Sequence, residues 1–316
     1  MPLKQSDFSV VVCAYTEARW DAMLAAVESL RRQTLPARQI ILVIDHNPVL
    51  FERSRAVLKD IEIIENVEAR GLSGARNSGI ALAEGEIIAF MDEDAVAEPD
   101  WLEKLSAGYA DPKVMGVGGA ILPLWHDERP GWFPEEFDWV VGCTYLGLPT
   151  HSQPVRNLIG CNMSFHRQVF DVVGDFRNGI GRIGSLPVGC EETELCIRIQ
   201  QHWKHAIFLY EPAARVHHRV SAQRATWDYF FSRCYAEGIS KAQISRLVGT
   251  QAGLSSERKY TFSILPRGVL QGLADSLRRL HPADAASSAA IIAGLGVTTA
   301  GYLRGKLARS LSNSMQ

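Results

Sequence analysis

The chain has no Cys-x-x-Cys pair, no internal repeat, and no basic, aromatic-interleaved patch in its first 250 residues. Its six cysteines, at positions 13, 143, 161, 190, 196 and 234, show no zinc-ligand spacing, so they read as reduced core cysteines rather than a metal module or a disulfide scaffold. A net charge of −2 and the missing basic patch exclude a dedicated nucleic-acid binder. The opening MPLKQSDFSVVVCAY lacks a basic region followed by an apolar signal core, so a cytoplasmic placement is expected rather than secretion. Against these absences stand 316 residues, 47% apolar and 22% charged, enough for one large domain or two.

The segment Ile87 to Leu102, IIAFMDEDAVAEPDWL, carries the most information. Ile87, Ile88, Ala89, Phe90 and Met91 suit a buried strand and deliver Asp92, Glu93 and Asp94 to its C-terminal edge, where open α/β sheets bind ligands. Three acids so close repel one another unless a cation sits among them. A hard divalent ion, Mg²⁺ or Mn²⁺, held by one or two carboxylates together with substrate phosphates meets that need. The alternative is a solvated acidic turn before a helix starting near Pro99.

Phe8 to Ala14, Ile40 to Ile44 and Ile61 to Ile64 are further short apolar runs, separated by helical patterns over Trp20 to Gln33, Phe51 to Leu58 and Gly71 to Ala83. With the strand at Ile87, β and α alternate four times, which predicts an α/β fold with a mainly parallel, doubly wound sheet and helices on both faces. Beyond about residue 110 the pattern changes. Val114 to Leu122 reads as a strand, 123 to 156 has no clear period and suits a lid or binding loop, Asn157 to Phe165 returns as a strand, and Val169 to Val173 is a short helix. Glycine-rich 178 to 189 suits a mobile flap before the acidic helix CEETELCIRIQ. The expected division is a catalytic domain over 1–220, with a nucleotide-binding half to about 110 and an acceptor half over 111–220, followed by a helical extension over 221–316.

These motifs resemble glycosyltransferase family 2 with its GT-A fold. VVVCAYTEARW is similar to the family's first block, with Cys13 for the usual Pro and Thr16 for the usual Asn. Asp45 in LVIDHN resembles the acid that reads the nucleotide base. GLSGARNSGIALAEGEIIAFMDEDAVAEPDWL matches the central block, including Arg76, Asn77 and the DxD at Asp92 and Asp94, and GCEETELCIRI resembles Glu-Asp-x-Asp-Leu with Glu192 for the usual Asp. The resemblance covers roughly residues 8 to 220. RPGWFPEEFDWVVGCTYLGLP, GCNMSFHRQVF and ARVHHRVSAQRATWDYFFSRCYAEGISKA are similar to a bacterial subgroup described as glucosyl-dolichyl phosphate glucuronosyltransferase-like. The QxxRW signature of processive synthases is absent, which favours addition of a single sugar.

The resemblance implies a nucleotide-sugar donor, UDP-linked above all, bound by Ala14, Tyr15, Glu17, Asp45, Arg76, Asp92 and Glu93. It implies Mn²⁺ or Mg²⁺ on Asp94 with Asp92 and His217, because imidazole suits Mn²⁺ and a divalent ion offsets charge on the departing pyrophosphate. Glu93 is expected to point aside from its neighbours. The base that takes the acceptor proton is Glu192 by the family pattern, with adjacent Glu191 turned about 100° away on the helix. Arg76 has a second reading, a structural helix start paired with one of the site acids. Asp45 and Glu17 have a second reading as helix caps. Trp132, Trp139 and Asn162 are candidate acceptor contacts for a glycan or lipid-linked acceptor, with aromatic core packing as the alternative for the tryptophans.

Residues 255 to 316 differ in kind. They hold eight Lys/Arg and three Asp/Glu, a local charge of +5 against −7 for the rest. Val269, Leu270, Leu273, Leu277 and Leu280 form an apolar helical stripe, and Ala285 to Leu303 is an uncharged 19-residue run rich in small residues. An interfacial helix or re-entrant hairpin on an anionic cytoplasmic membrane surface is expected. The alternative is a helical pair packed on the catalytic domain or on a second copy in a homo-oligomer. The reading is thus a metal-dependent inverting glycosyltransferase at the inner membrane face. Its rivals are a nucleotidyltransferase, which would show a glycine-rich loop where CAYTEARW stands, and a non-catalytic nucleotide-sugar-binding protein.

Overall fold

A computed structural model of the chain describes residues 7–179, 189–247, 249, 260–279 and 282–313. Their backbone divides into two compact units, one of residues 7–122, 149–179 and 191–219, the other of 123–148, 189–190 and 220–313.

The first unit is built on one sheet, in the order β3-β2-β1-β4-β8-β6-β9-β5, with β7 beside β9. Strands β1 (Phe8–Ala14), β2 (Gln39–Ile44), β3 (Glu62–Glu65) and β4 (Ile87–Asp92) are parallel, and β1 pairs Cys13 with Val43 on one side and with Asp92 on the other. All seven β1 residues are buried, as a central strand covered on both faces requires. The helices α1 (Trp20–Arg31), α2 (Pro48–Val57) and α3 (Leu72–Leu82) fill the crossovers. Asn47 caps α2, its Oδ1 accepting from the Leu50 amide at 3.0 Å, with Pro48 following as the first helical residue. Gly79 brings α3 against β1, since a Cβ there would lie 2.5 Å from Val11 Cγ1.

The remaining strands change direction. β8 (Asn162–His166) runs antiparallel to β4 and to β6 (Val114–Trp125), and β9 (Ile207–Val220) pairs antiparallel with both β5 (Ala95–Ala97) and β7 (Gln153–Val155). The sheet is therefore mixed. Its parallel half agrees with the βα alternation, and its antiparallel half comes from the region where that alternation stops. Helices α4 (Trp101–Gly108), α5 (Arg167–Val173) and α6 (Glu191–His202) complete the unit. Its core gathers Val11, Ile41, Val43, Phe90, Phe165, Phe170, Phe176 and Phe208 from these elements.

The second unit holds α7 (Trp227–Leu247), α8 (Leu265–Arg279) and α9 (Pro282–Asn313). Helix α9 packs along α7 through small residues: a Cβ on Gly301 would lie 2.2 Å from the Tyr235 carbonyl oxygen, and one on Gly238 would lie 2.1 Å from that of Thr298. From the stretch 123–156, expected as a loop without a period, the second unit takes a mostly buried 3₁₀ segment, Glu135–Val141. Its aromatics pack within the unit: Trp132 stacks on Trp227 at 3.8 Å, and Phe133 and Phe137 abut Phe230. Most of the glycine-rich segment expected as a flap, and Leu280 of the apolar stripe, lie outside the described residues.

Candidate functional site

Strand β4 ends at Asp92, and the turn to β5 carries Glu93 and Asp94, both buried. The repulsion expected among these acids is met within the chain by Arg19, whose Nη1 lies 2.6 Å from Glu93 Oε1 and 3.0 Å from Asp94 Oδ2. Arg19 closes the short turn Glu17–Arg19 after β1, capped by Thr16, and its guanidinium stands 5.4 Å from the Tyr15 ring centre. Burial and the charge of Asp94 push the Glu93 carboxyl up to about 7 against the pull of Arg19. Burial alone would lower the Arg19 pKa, but Glu93 and Asp94 outweigh it and hold the guanidinium charged. Glu93 therefore does not stand aside from Asp94, since one guanidinium nitrogen takes both carboxylates.

A histidine reaches the acids from β9, and it is His218 rather than His217. The rung pairing Ala95 with His218 brings that imidazole beside the turn, with Nε2 3.1 Å from Asp94 Oδ1. His217, the expected ligand, faces the opposite side of the strand, with Nε2 3.2 Å from Glu98 Oε1. The cause is the period of two in a strand, since β9 continues through both histidines to Val220. Ligand atoms of Asp92, Cys161 and His218 all lie within 4.8 Å of one another. A divalent ion with ligand distances of about 2.1 Å spans roughly that gap, so one carboxylate, one thiol and one imidazole stand close enough to fit the ion the family resemblance implies.

Arg76 is 2% exposed and does not present itself to a phosphate. Its Nη1 donates to Glu191 Oε1 at 2.8 Å, its Nη2 donates to the Gly160 carbonyl at 3.1 Å, and Nη2 stands 3.7 Å from Asp92 Oδ1. Burial would lower its pKa, but Glu191 and Asp92 raise it further and keep the side chain a cation. The expectation of direct nucleotide contact gives way to the structural reading, because α3 buries this residue on the sheet side. Asn77 is likewise occupied, bonding the backbone of Phe176 in both directions.

Asp45 follows β2 and organises the loop after β3. Its Oδ1 accepts from Asn66 Nδ2 at 2.7 Å and its Oδ2 from the Gly71 amide at 3.0 Å. Ala14 closes β1, its carbonyl accepting from the Asp45 amide at 2.8 Å, while Tyr15 and Glu17 are exposed just beyond. Ala14, Tyr15, Glu17, Asp45 and Asp92 therefore share the C-terminal edge of the parallel strands, the usual ligand-binding edge.

Among the acids opening α6, Glu191 and Glu194 meet guanidinium groups. Glu191 is buried against Arg76, and its Oε2 has no hydrogen-bond partner among the described residues. Glu194 is held by Arg198 at 2.9 Å and Arg177 at 3.1 Å. Glu192 is the partly exposed one. Asn162, expected at the acceptor, is instead a fully buried strut: its Oδ1 accepts from Trp101 Nε1 at 2.8 Å, and its Nδ2 donates to the carbonyls of Ala120 and Ala214, both at 2.9 Å. Trp132 and Trp139 belong to the second unit, the former in the aromatic stack and the latter donating to the Tyr260 hydroxyl at 3.0 Å. Core packing accounts for both.

Arg19 and Cys161 were not legible as site residues. The buried alternation Ala214, Val216, His218, Val220 is the signal that separates the two histidines.

The glycosyl transferase family 2 profile matches residues 9–174. The glucosyl-dolichyl phosphate glucuronosyltransferase of Haloferax volcanii is 38% identical over 237 residues, covering 74% of this chain and 75% of that protein. Among solved structures, a mannosyltransferase from Pyrobaculum calidifontis in complex with GDP-Man and Mn²⁺ superposes with a TM-score of 0.58 at 16% identity, covering 95% of this chain and 88% of that one. GalNAc-T7 with UDP, GalNAc and Mn²⁺ gives 0.52 at 17% identity, covering 81% and 56%.

Proposed function

The chain belongs to glycosyl transferase family 2 and has the GT-A glycosyltransferase fold, and from that premise we propose that it transfers one sugar from a UDP-sugar, with inversion, to a hydroxyl of a lipid-linked acceptor. The observation that carries this is the gathering of Asp92, Asp94 and His218 at one sheet edge, with Arg76 fastening Asp92 to the helix that bears Glu192. A nucleotidyltransferase would not require that acid on α6.

Asp92, Asp94 and His218 would hold the divalent ion. Bound there, it supplies Lewis-acid neutralisation of charge on the departing diphosphate. Asp45 and the exposed Tyr15 and Glu17 receive the nucleoside at the strand ends. Glu192 accepts the acceptor's hydroxyl proton as its oxygen attacks the anomeric carbon. Attack opposite the leaving group in a single displacement inverts that centre. Arg19, which meets both Glu93 and Asp94, would keep those acids compensated, so that they repel neither one another nor the diphosphate.

Screening UDP-, GDP- and other nucleotide sugars by thermal shift, with and without Mn²⁺, tests the donor reading. A UDP-sugar at about 100 times its Kd should stabilise the protein by about 2.7 kcal/mol, and only with the ion present. Absence of any ion-dependent shift would overturn the proposal.

The acceptor reading draws on two supports. The Haloferax relative is named for a dolichyl phosphate substrate. In addition, α8 and α9 expose Leu270, Leu277, Ile292 and Leu303 beside Arg267, Arg278, Arg304 and Lys306, a face that suits an anionic bilayer surface. Residues Ala283–Leu307 are long and apolar enough to cross a membrane, but the small-residue side of α9 is taken by α7, which favours interfacial seating. The full-length protein should float with anionic liposomes and detach in high salt, whereas deletion of 255–316 should abolish flotation. A full-length protein that stays in the soluble fraction would refute the membrane reading, and retention that only detergent breaks would indicate insertion instead.

A further inference from the structure

We infer that Cys161 supplies a sulfur donor to the same ion, making this a mixed oxygen, nitrogen and sulfur site that takes Co²⁺ and Cd²⁺ in preference to Mg²⁺. The inference rests on the divalent-ion reading above and concerns which ion the site selects. The placement follows from strand register. The last antiparallel rung between β4 and β8 pairs Met91 with Asn162, so the next brings Asp92 opposite Cys161, and directly opposed residues share a face of the sheet. The rung pairing Ala95 with His218 brings in the imidazole from the other side of the turn. Mutual separations within 4.8 Å are close to the span of a sulfur and a nitrogen on opposite sides of one ion, about 4.4 Å.

The thiol sits on a rigid support. Cys161 is 4% exposed, in a turn closed by the Asn162 amide donating to the Ile159 carbonyl at 3.0 Å. The next side chain, Asn162, is fixed by its three hydrogen bonds to Trp101, Ala120 and Ala214. A donor held this way needs little reorganisation on binding. Hard carboxylates suit Mg²⁺ and Mn²⁺, imidazole suits several transition metals, and thiolate shifts preference toward softer ions. On binding, the thiol proton passes to solvent as the sulfur–metal bond forms, with no change of oxidation state. Cys13, which neighbours Asp92 across the β1/β4 ladder, lies in the hydrophobic core cluster and serves as the control.

Titration of the full-length protein with Co²⁺ or Cd²⁺ reads sulfur ligation directly, as an ultraviolet sulfur-to-metal charge-transfer band saturating at one equivalent. Cys161→Ser should lose the band yet still bind the ion by calorimetry, with its preference for Cd²⁺ over Mn²⁺ reduced roughly ten- to a hundredfold. Cys161→Asp, which restores an oxygen donor at the same point, should bind Mn²⁺ without the band, and Cys13→Ala should keep it. An ion that binds wild-type protein with no such band, or a band that survives Cys161→Ser, overturns the inference while leaving the divalent-ion reading intact. If neither Mn²⁺, Co²⁺ nor Cd²⁺ binds, that reading fails, and the inference falls with it.

Discussion

Asp94→Ala should eliminate the metal-dependent part of UDP binding, a loss of about 10²-fold or more in affinity measured calorimetrically with Mn²⁺ present. The expected size follows because even groups that only support metal ligands cost ten- to a hundredfold when removed. Asp94 faces both His218 at 3.1 Å and Arg19 at 3.0 Å, so its removal also unbalances the cation beside it. Asp94→Asn controls for shape: it keeps a polar side chain of the same size and lacks the charge. If UDP binds either variant with wild-type affinity in the presence of Mn²⁺, the metal assignment is wrong. UDP binding without the ion should change little in both variants.

Glu192→Gln should lower the transfer rate by about 10² to 10⁴ while leaving the donor Kd near wild type, since the amide fills the same space and cannot accept the proton. The comparison with its neighbour makes the test sharp. Glu191 is locked against Arg76, so Glu191→Gln should act first on stability, whereas Glu192 is partly exposed at the start of α6. Inactivation by Glu191→Gln with an active Glu192→Gln would mean that the motif is aligned one residue off. Loss of donor binding in Glu192→Gln would place this acid at the donor.

The parallel half of the sheet was legible because β1, β2 and β4 each hold five consecutive apolar residues, VVVCA, IILVI and IIAFM, as a strand buried on both faces requires. β9 was not, because its fourteen residues mix Glu211, Pro212 and four basic or imidazole side chains with Ala214 and Val216, so only its period of two identifies it. Without that period nothing in the sequence separates His218 from the His217 that was expected as the ligand. Arg19 gave no signal, since its acids lie about 74 positions away and meet it only through the order of strands. Cys161 depended on antiparallel register in the same way. The tryptophans at 132 and 139 look alike as a sugar platform and as core, and only their neighbours Trp227 and Tyr260 decide. The uncharged stretch in α9 was ambiguous for a related reason: glycine and alanine suit close helix packing as well as a weakly apolar span.

The buried guanidinium of Arg76 has a consequence for how this sequence can drift. Losing Glu191 alone strands a cation in the interior, and losing Arg76 alone strands a carboxylate whose second oxygen has no partner among the described residues; breaking such a pair costs about 3–5 kcal/mol. Replacing both together by apolar residues of similar volume removes most of that penalty. A lineage can therefore reach a neutral pair only through a destabilised intermediate or a simultaneous double change. The two positions, 115 residues apart in the chain, behave as a single heritable unit. Substitutions elsewhere around the site can be accepted one at a time, but this pair acts as a ratchet that holds the strand bearing Asp92 and the helix bearing Glu192 in a common history.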